Sequence, residues 1–196
     1  MSRRIPLVAA SLAAAFFLQC DGGGDEPEGP LLCEGSIPTG VVYPDENRAS
    51  DEALERVWES RCRASNAKGF VLSSPEDGAV VPAAAPVEIR WEPLVTQSAF
   101  LGLRFGIARA HAHLPPITGD VHLVELAPAG GGTPLYVFTA DTWWTPGDEE
   151  WSRLVAMGEI RVTVWSAHLE KGVILDEAAD GPFVSPKVGR FTIEGA

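Results

Sequence analysis

The sequence predicts an all-β protein: a single antiparallel β-sandwich of about seven strands over residues 67–196, preceded by one short helix and an N-terminal signal and tether. Three observations carry this. From residue 70 onward, short runs alternate apolar with polar side chains, the period of two that marks strands buried on one face. Pro- and Gly-rich turns separate these runs at short intervals. Helical spacing of apolar residues is confined to two segments, one beginning near Ser50 and one near Asp148.

At the N-terminus, Ser2-Arg3-Arg4 is a short basic start and Ile5 to Leu18 an apolar run. The run is too short to span a bilayer comfortably and Asp21 follows at once, so residues 1–19 read as an export signal. Phe17-Leu18-Gln19-Cys20 resembles the lipobox of bacterial lipoproteins, although Gln19 stands where a small residue is usual and Phe17 where Leu is commoner. The resemblance implies that Cys20 becomes a lipidated first residue. It also implies a bacterial cell-envelope protein anchored in the membrane, with the outer membrane or cell surface as its place. Several acyl chains, at about 0.8 kcal/mol per buried CH₂, make such an anchor effectively permanent. Asp21 to Pro30 is Gly- and acid-rich with nothing to bury, so residues 20–48 read as a flexible acidic tether. An ordinary secretory signal cleaved near Cys20 is the alternative.

The charge excludes one class of partner. Net charge is −12; loss of Arg3 and Arg4 with the signal takes Lys+Arg from 15 to 13 against 27 acids, leaving −14. A surface this acidic repels nucleic acid, and no nucleic-acid partner is expected.

With Cys20 lipidated, Cys33 and Cys62 remain as an even pair, which in an oxidising compartment predicts a disulfide. Two thiols without a nearby His make a poor zinc site, and no Cys-x-x-Cys redox spacing is present. Between them lies the first helix, from Ser50 or Asp51 to about Arg63 within a segment spanning 49–66. Ser50 or Asp51 can cap it, and Leu54, Val57, Trp58 and Cys62 share one face.

The strands follow in order. Phe70-Val71-Leu72 leads into the turn Ser74-Pro75-Glu76-Asp77-Gly78, in which Gly78 is free to take positive φ. After Ala79-Val80-Val81 and the Pro82–Pro86 run, Val87, Ile89 and Trp91 point inward. Leu101, Leu103, Phe105 and Ile107 form the next inward row. Val121–Leu126 and Leu135–Ala140 flank a Gly/Pro hairpin loop, and a short helix capped by Asp148 carries Trp151, Leu154 and Val155. The strand around which the rest is organised begins at Gly158, with Ile160, Val162 and Val164 inward; Val188–Ile193 closes the chain.

Val87-Glu88-Ile89-Arg90-Trp91-Glu92-Pro93 resembles strand B of fibronectin type III-like domains, with Trp91 as the core tryptophan. Leu154 and Gly158 to Ala167 resemble that family's E–F corner and strand F, with Ile160 where its corner tyrosine usually stands. Gly181 to Ser185 and Arg190 to Ile193 resemble the F–G loop and strand G. The resemblance implies a fibronectin type III-like sandwich. An immunoglobulin-type domain fits less well, because both spare cysteines precede the sandwich and cannot bridge its sheets.

Two constellations could carry chemistry. His111, His113 and His122, with Asp120 nearby, could converge on a metal, since alternate residues of a strand share a face. The competing reading is that loops at sandwich ends collect His, Pro and Asp without function. Trp143 and Trp144 could place one ring in the core and display the other to a glycan or a protein partner; the competing reading packs most of this aromatic cluster into the core. No Gly-x-Ser-x-Gly, Walker or His-Glu-x-x-His motif is present. The expectation is a non-enzymatic, lipid-anchored surface interaction or spacer module without a cofactor. A glycan-binding module at Trp143 or Trp144, and a small metal protein at the histidines, are the alternatives.

Overall fold

The computed structural model describes residues 33, 35–44, 49–94 and 116–195. These are mostly β, arranged as two sheets with a few short helices. The strands are β1 (Phe70–Ser74), β2 (Ala79–Pro82), β3 (Ile89–Pro93), β4 (Gly119–Pro128), β5 (Leu135–Thr139), β6 (Trp143–Trp144), β7 (Glu159–Leu169), β8 (Phe183–Val184) and β9 (Gly189–Glu194). The helices are α1 (Asp51–Ser60), α2 (Asp148–Met157) and α3 (Glu177–Asp180). One sheet runs β1-β3-β6; the other runs β2-β9-β7-β4-β5, with β8 also paired to β7.

The strand around Ile160 is central, lying between β4 and β9. Its alternation holds: Ile160, Val162 and Val164 are buried while Glu159 and Arg161 are exposed. Gly158 caps the preceding helix at φ 70°, a conformation L side chains rarely adopt, and so lets α2 turn directly into β7. Side chains of both sheets meet in one buried cluster, with Ile89, Trp91 and Trp144 on one side and Val124, Leu126, Val137, Val162 and Phe191 on the other. Helix α2 adds Trp151 and Leu154 to it.

Four features differ from the sequence expectation. Nine strands are present among the described residues rather than about seven, two of them only two residues long. The arrangement is not wholly antiparallel, because β2 pairs parallel to β9. The turn at Ser74–Gly78 does not fold β1 back on itself; it carries the chain from one sheet into the other, and β2 then joins its new neighbour in the same sense. Helix α2 is capped by Gly147 rather than Asp148, since the Trp151 amide already donates to the Gly147 carbonyl at 2.8 Å. Asp148, Glu149 and Glu150 occupy its first turn, where carboxylates suit the helix dipole.

The fourth difference concerns α1. It is capped by Ser50, whose hydroxyl accepts from the Ala53 amide at 3.3 Å, and it ends at Ser60 in a 3₁₀ turn over Arg61–Arg63. It is not a separate N-terminal segment. Leu54, Val57 and Trp58 form a second core with Val121, Leu123, Phe138, Ala167 and Leu169, on the face of the large sheet opposite the first core. Residues of the expected tether join in: Val42 bridges β5 at Val137, with its amide donating to Tyr136 and its carbonyl accepting from Phe138, both at 2.9 Å. The central strands are therefore covered on both faces. Leu101, Leu103, Phe105 and Ile107 lie outside the described residues.

Candidate functional site

On the inner face of the large sheet the side chains change character along the strands. Val124, Leu126, Val137, Val162 and Val164 are apolar; at the next positions His122 stands opposite Thr139 and Ser166, and beyond it Asp120 stands opposite His168. His122 is 1% exposed, its ring meeting Phe70 at 4.6 Å and Trp91 at 5.8 Å. His168 Nδ1 lies 2.7 Å from Asp120 Oδ1 at the more open end. Of the three histidines of the metal expectation the structure describes His122, whose imidazole is packed between aromatic rings of the other sheet. His111 and His113 lie outside the described residues, and no three metal-ligating side chains converge among those described.

Burial pushes the pKa of His122 down from 6.5 to about 4, with Asp120 opposing the shift. Asp120, on its own strand, and His168, paired with that carboxylate, are the titratable groups beside it; Phe70, Trp91, Thr139 and Ser166 carry no charge. The folded pKa lies below the unfolded one, so between these values the unfolded chain binds the proton first. Stability is complete above about pH 6.5 and falls as the pH drops towards 4, by about 3 kcal/mol. Urea unfolding from pH 7 to pH 4 tests this: the midpoint of the wild type should fall more steeply than that of His122→Phe, and parallel curves would contradict the assignment.

The two tryptophans of β6 divide between core and solvent. Trp144 is 3% exposed within the inter-sheet core, which withdraws it as a ligand-binding residue, whereas Trp143 is 44% exposed. Trp143 stands opposite Arg90 on β3, and Arg90 is held by Glu88 through Nη2 at 2.6 Å. Among the described residues Trp143 is the sole exposed large aromatic, so this sheet presents no second ring for a sugar. Trp143→Ala is expected to change stability by no more than about 0.5 kcal/mol, and Trp144→Ala to cost about 3–5 kcal/mol. Paired thermal melts distinguish the two.

A groove of about 370 Å³, which the sequence reading missed, lies between α1 and the residues before it. Ile37, Pro38, Val41 and Leu54 supply its apolar wall, and Tyr43 donates to Asp51 Oδ1 at 2.7 Å on its polar side. Burial, reinforced by Asp51, raises the phenol's pKa. The sequence signal was Val41-Val42-Tyr43, three β-formers at the end of an otherwise acidic, Gly-rich segment. Near the other end of α1, Arg61 lies 3.6 Å over the Trp58 ring, and Trp58 meets Tyr136 edge-on at 5.5 Å. Tyr136 in turn donates to Glu125 at 3.4 Å, and burial raises the pKa of that carboxyl. These contacts fasten the helix to the sheet.

Cys33 and Cys62 stand at disulfide distance, their Cα atoms 5.4 Å apart. The Cys33 amide donates to the Glu59 carbonyl at 2.9 Å, so the chain at Cys33, within the expected tether, is tied to the last turn of α1. Cys20 lies outside the described residues. No helix among the described residues is long and apolar enough to cross a membrane. No family model, curated protein or solved structure matches the chain.

Proposed function

We propose that this is an exported, lipid-anchored protein of the bacterial cell envelope whose folded part is a non-enzymatic interaction or spacer module. The observation that carries the reading is the Cys33–Cys62 pair, because a cysteine pair at bonding distance belongs to an oxidising compartment. It accords with the export signal and with Cys20 ahead of an acidic, Gly-rich tether. A net charge of −12 argues against nucleic acid as the partner.

The module is a fibronectin type III-like sandwich in this reading. With β1, β3 and β6 as strands A, B and E, and β4, β5, β7 and β9 as C, C′, F and G, the order β1-β3-β6 over β9-β7-β4-β5 follows the immunoglobulin-like plan. The parallel β2 edge and the helix laid on the outer face lie outside the seven strands this reading assigns. The groove beside α1 offers a partner an apolar wall set against one carboxylate.

A glycan-binding module is the second reading, favoured by the exposure of Trp143 alone. Cell fractionation tests the first. Cys20→Ser should move the protein from the membrane to the soluble envelope or culture fraction while leaving its fold intact. An unchanged membrane fraction would count against the anchor. On a glycan array, binding lost in Trp143→Ala would favour the second reading instead.

A further inference from the structure

The inner face of the large sheet ends in a closed polar cluster with more hydrogen-bonding capacity than its neighbours use. Trp91 Nε1, His122 Nδ1 and Ser166 Oγ are each shut off from solvent, and none has a hydrogen-bond partner. They are neighbours in space. His122 stands directly opposite Ser166 across β4 and β7, and the Trp91 ring from the other sheet meets the imidazole edge-on at 5.8 Å. Thr139, opposite His122 on β5, is already occupied, its hydroxyl accepting from the Asp141 amide at 3.0 Å.

Buried polar groups in folded proteins nearly always find a partner, and three orphans in one place call for a shared one. The chemistry of the set is specific. An indole N–H only donates, a hydroxyl does both, and a neutral imidazole nitrogen takes either role. One oxygen able to accept and donate therefore satisfies all three. Side chains directly opposed on an antiparallel pair have Cβ atoms about 5 Å apart, which brings Ser166 beside His122 on this face. Closure of all three atoms from solvent limits the ligand to something of the size of water, which needs two to four polar partners to be held inside a protein.

We propose that this cluster is a binding site for ordered internal water, bridging Trp91 Nε1, His122 Nδ1 and Ser166 Oγ between the two sheets. The water is a structural ligand joining the sheets where the inner face is no longer apolar. It accepts from the indole, and the hydroxyl and imidazole complete its contacts without any proton leaving the imidazole.

Two measurements on the full chain test this. A high-resolution crystal structure should show an enclosed oxygen within hydrogen-bonding distance of at least two of the three atoms; a dry site, or these atoms paired with protein groups, overturns the proposal. Water-¹⁷O magnetic relaxation dispersion should lose the amplitude of about one long-lived water in Ser166→Val, which replaces the hydroxyl with bulkier methyl groups that cannot hydrogen-bond. An unchanged amplitude in the folded variant overturns it. Should Ser166→Val fail to fold, Ser166→Ala provides the second arm: its hydroxyl is lost without added bulk, and the water's residence time should shorten. An unaltered residence time there counts equally against the site.

Discussion

Trp91→Ala is expected to remove about 3–5 kcal/mol of folding stability, the range for truncating a buried tryptophan. Trp91 is 0% exposed in the middle strand of the small sheet and belongs to the cluster into which Leu126, Val162, Val164 and Phe191 project from the large one. Its removal leaves a cavity that spans both sheets, so neither can relax into it alone. Against a total of about 5–15 kcal/mol for an ordinary domain, this is a large fraction. Urea unfolding followed by circular dichroism gives the number. Leu175→Ala, at a side chain 69% exposed, is the control and should change stability by about 0.5 kcal/mol at most. A cost below about 1 kcal/mol for Trp91→Ala would mean that the two sheets do not share a core.

Separating Cys33 from Cys62 is expected to cost about 3–4 kcal/mol, because a link across 29 residues restricts the unfolded chain more than the folded one. The loss should be concentrated on the face of the large sheet that α1 covers. There Val57 and Leu54 sit on Val121, Leu123 and Phe138, and Val42 is threaded along β5. Reductant should lower the melting temperature of the wild type to that of the Cys33→Ser/Cys62→Ser double variant and leave the variant itself unchanged. A wild type indifferent to reductant would show that the pair contributes nothing.

The parts of the fold legible in the sequence are those fixed by local pattern. Ile160, Val162 and Val164 alternate with polar residues, and β7 forms where the alternation lies. Leu54, Val57 and Trp58 recur at helical spacing behind Ser50, and α1 forms there with Ser50 as its cap. Trp91 reads as core from its strand alone and is fully buried. The parallel pairing of β2 with β9 could not be read, because it joins residues more than a hundred positions apart and no turn chemistry specifies it.

The position of His122 was hidden for a different reason. In Asp120-Val121-His122-Leu123-Val124 the period of two assigns Val121 and Leu123 to one face and His122 and Val124 to the other, and a strand covered on one side would turn its histidine outward. Here α1 covers the Val121 face and the small sheet covers the His122 face, so both sets are buried. The same double cover concealed the groove beside Tyr43. Composition assigns residues 20–48 to a solvated tether, but Val41-Val42-Tyr43 finds an apolar edge on β5. Strand alternation sends one ring of Trp143-Trp144 to the core and the other to water, and the partner strand decides which: Trp144 faces Ile89 and Trp143 faces Arg90.

A lipid anchor at Cys20 is read directly by intact-mass and peptide mass spectrometry of the protein isolated from its own membranes. The predicted result is a mature N-terminus at Cys20 carrying a thioether-linked diacylglyceryl group, with residues 1–19 absent. A chain that retains those residues, or one cut elsewhere with an unmodified Cys20, would contradict the account.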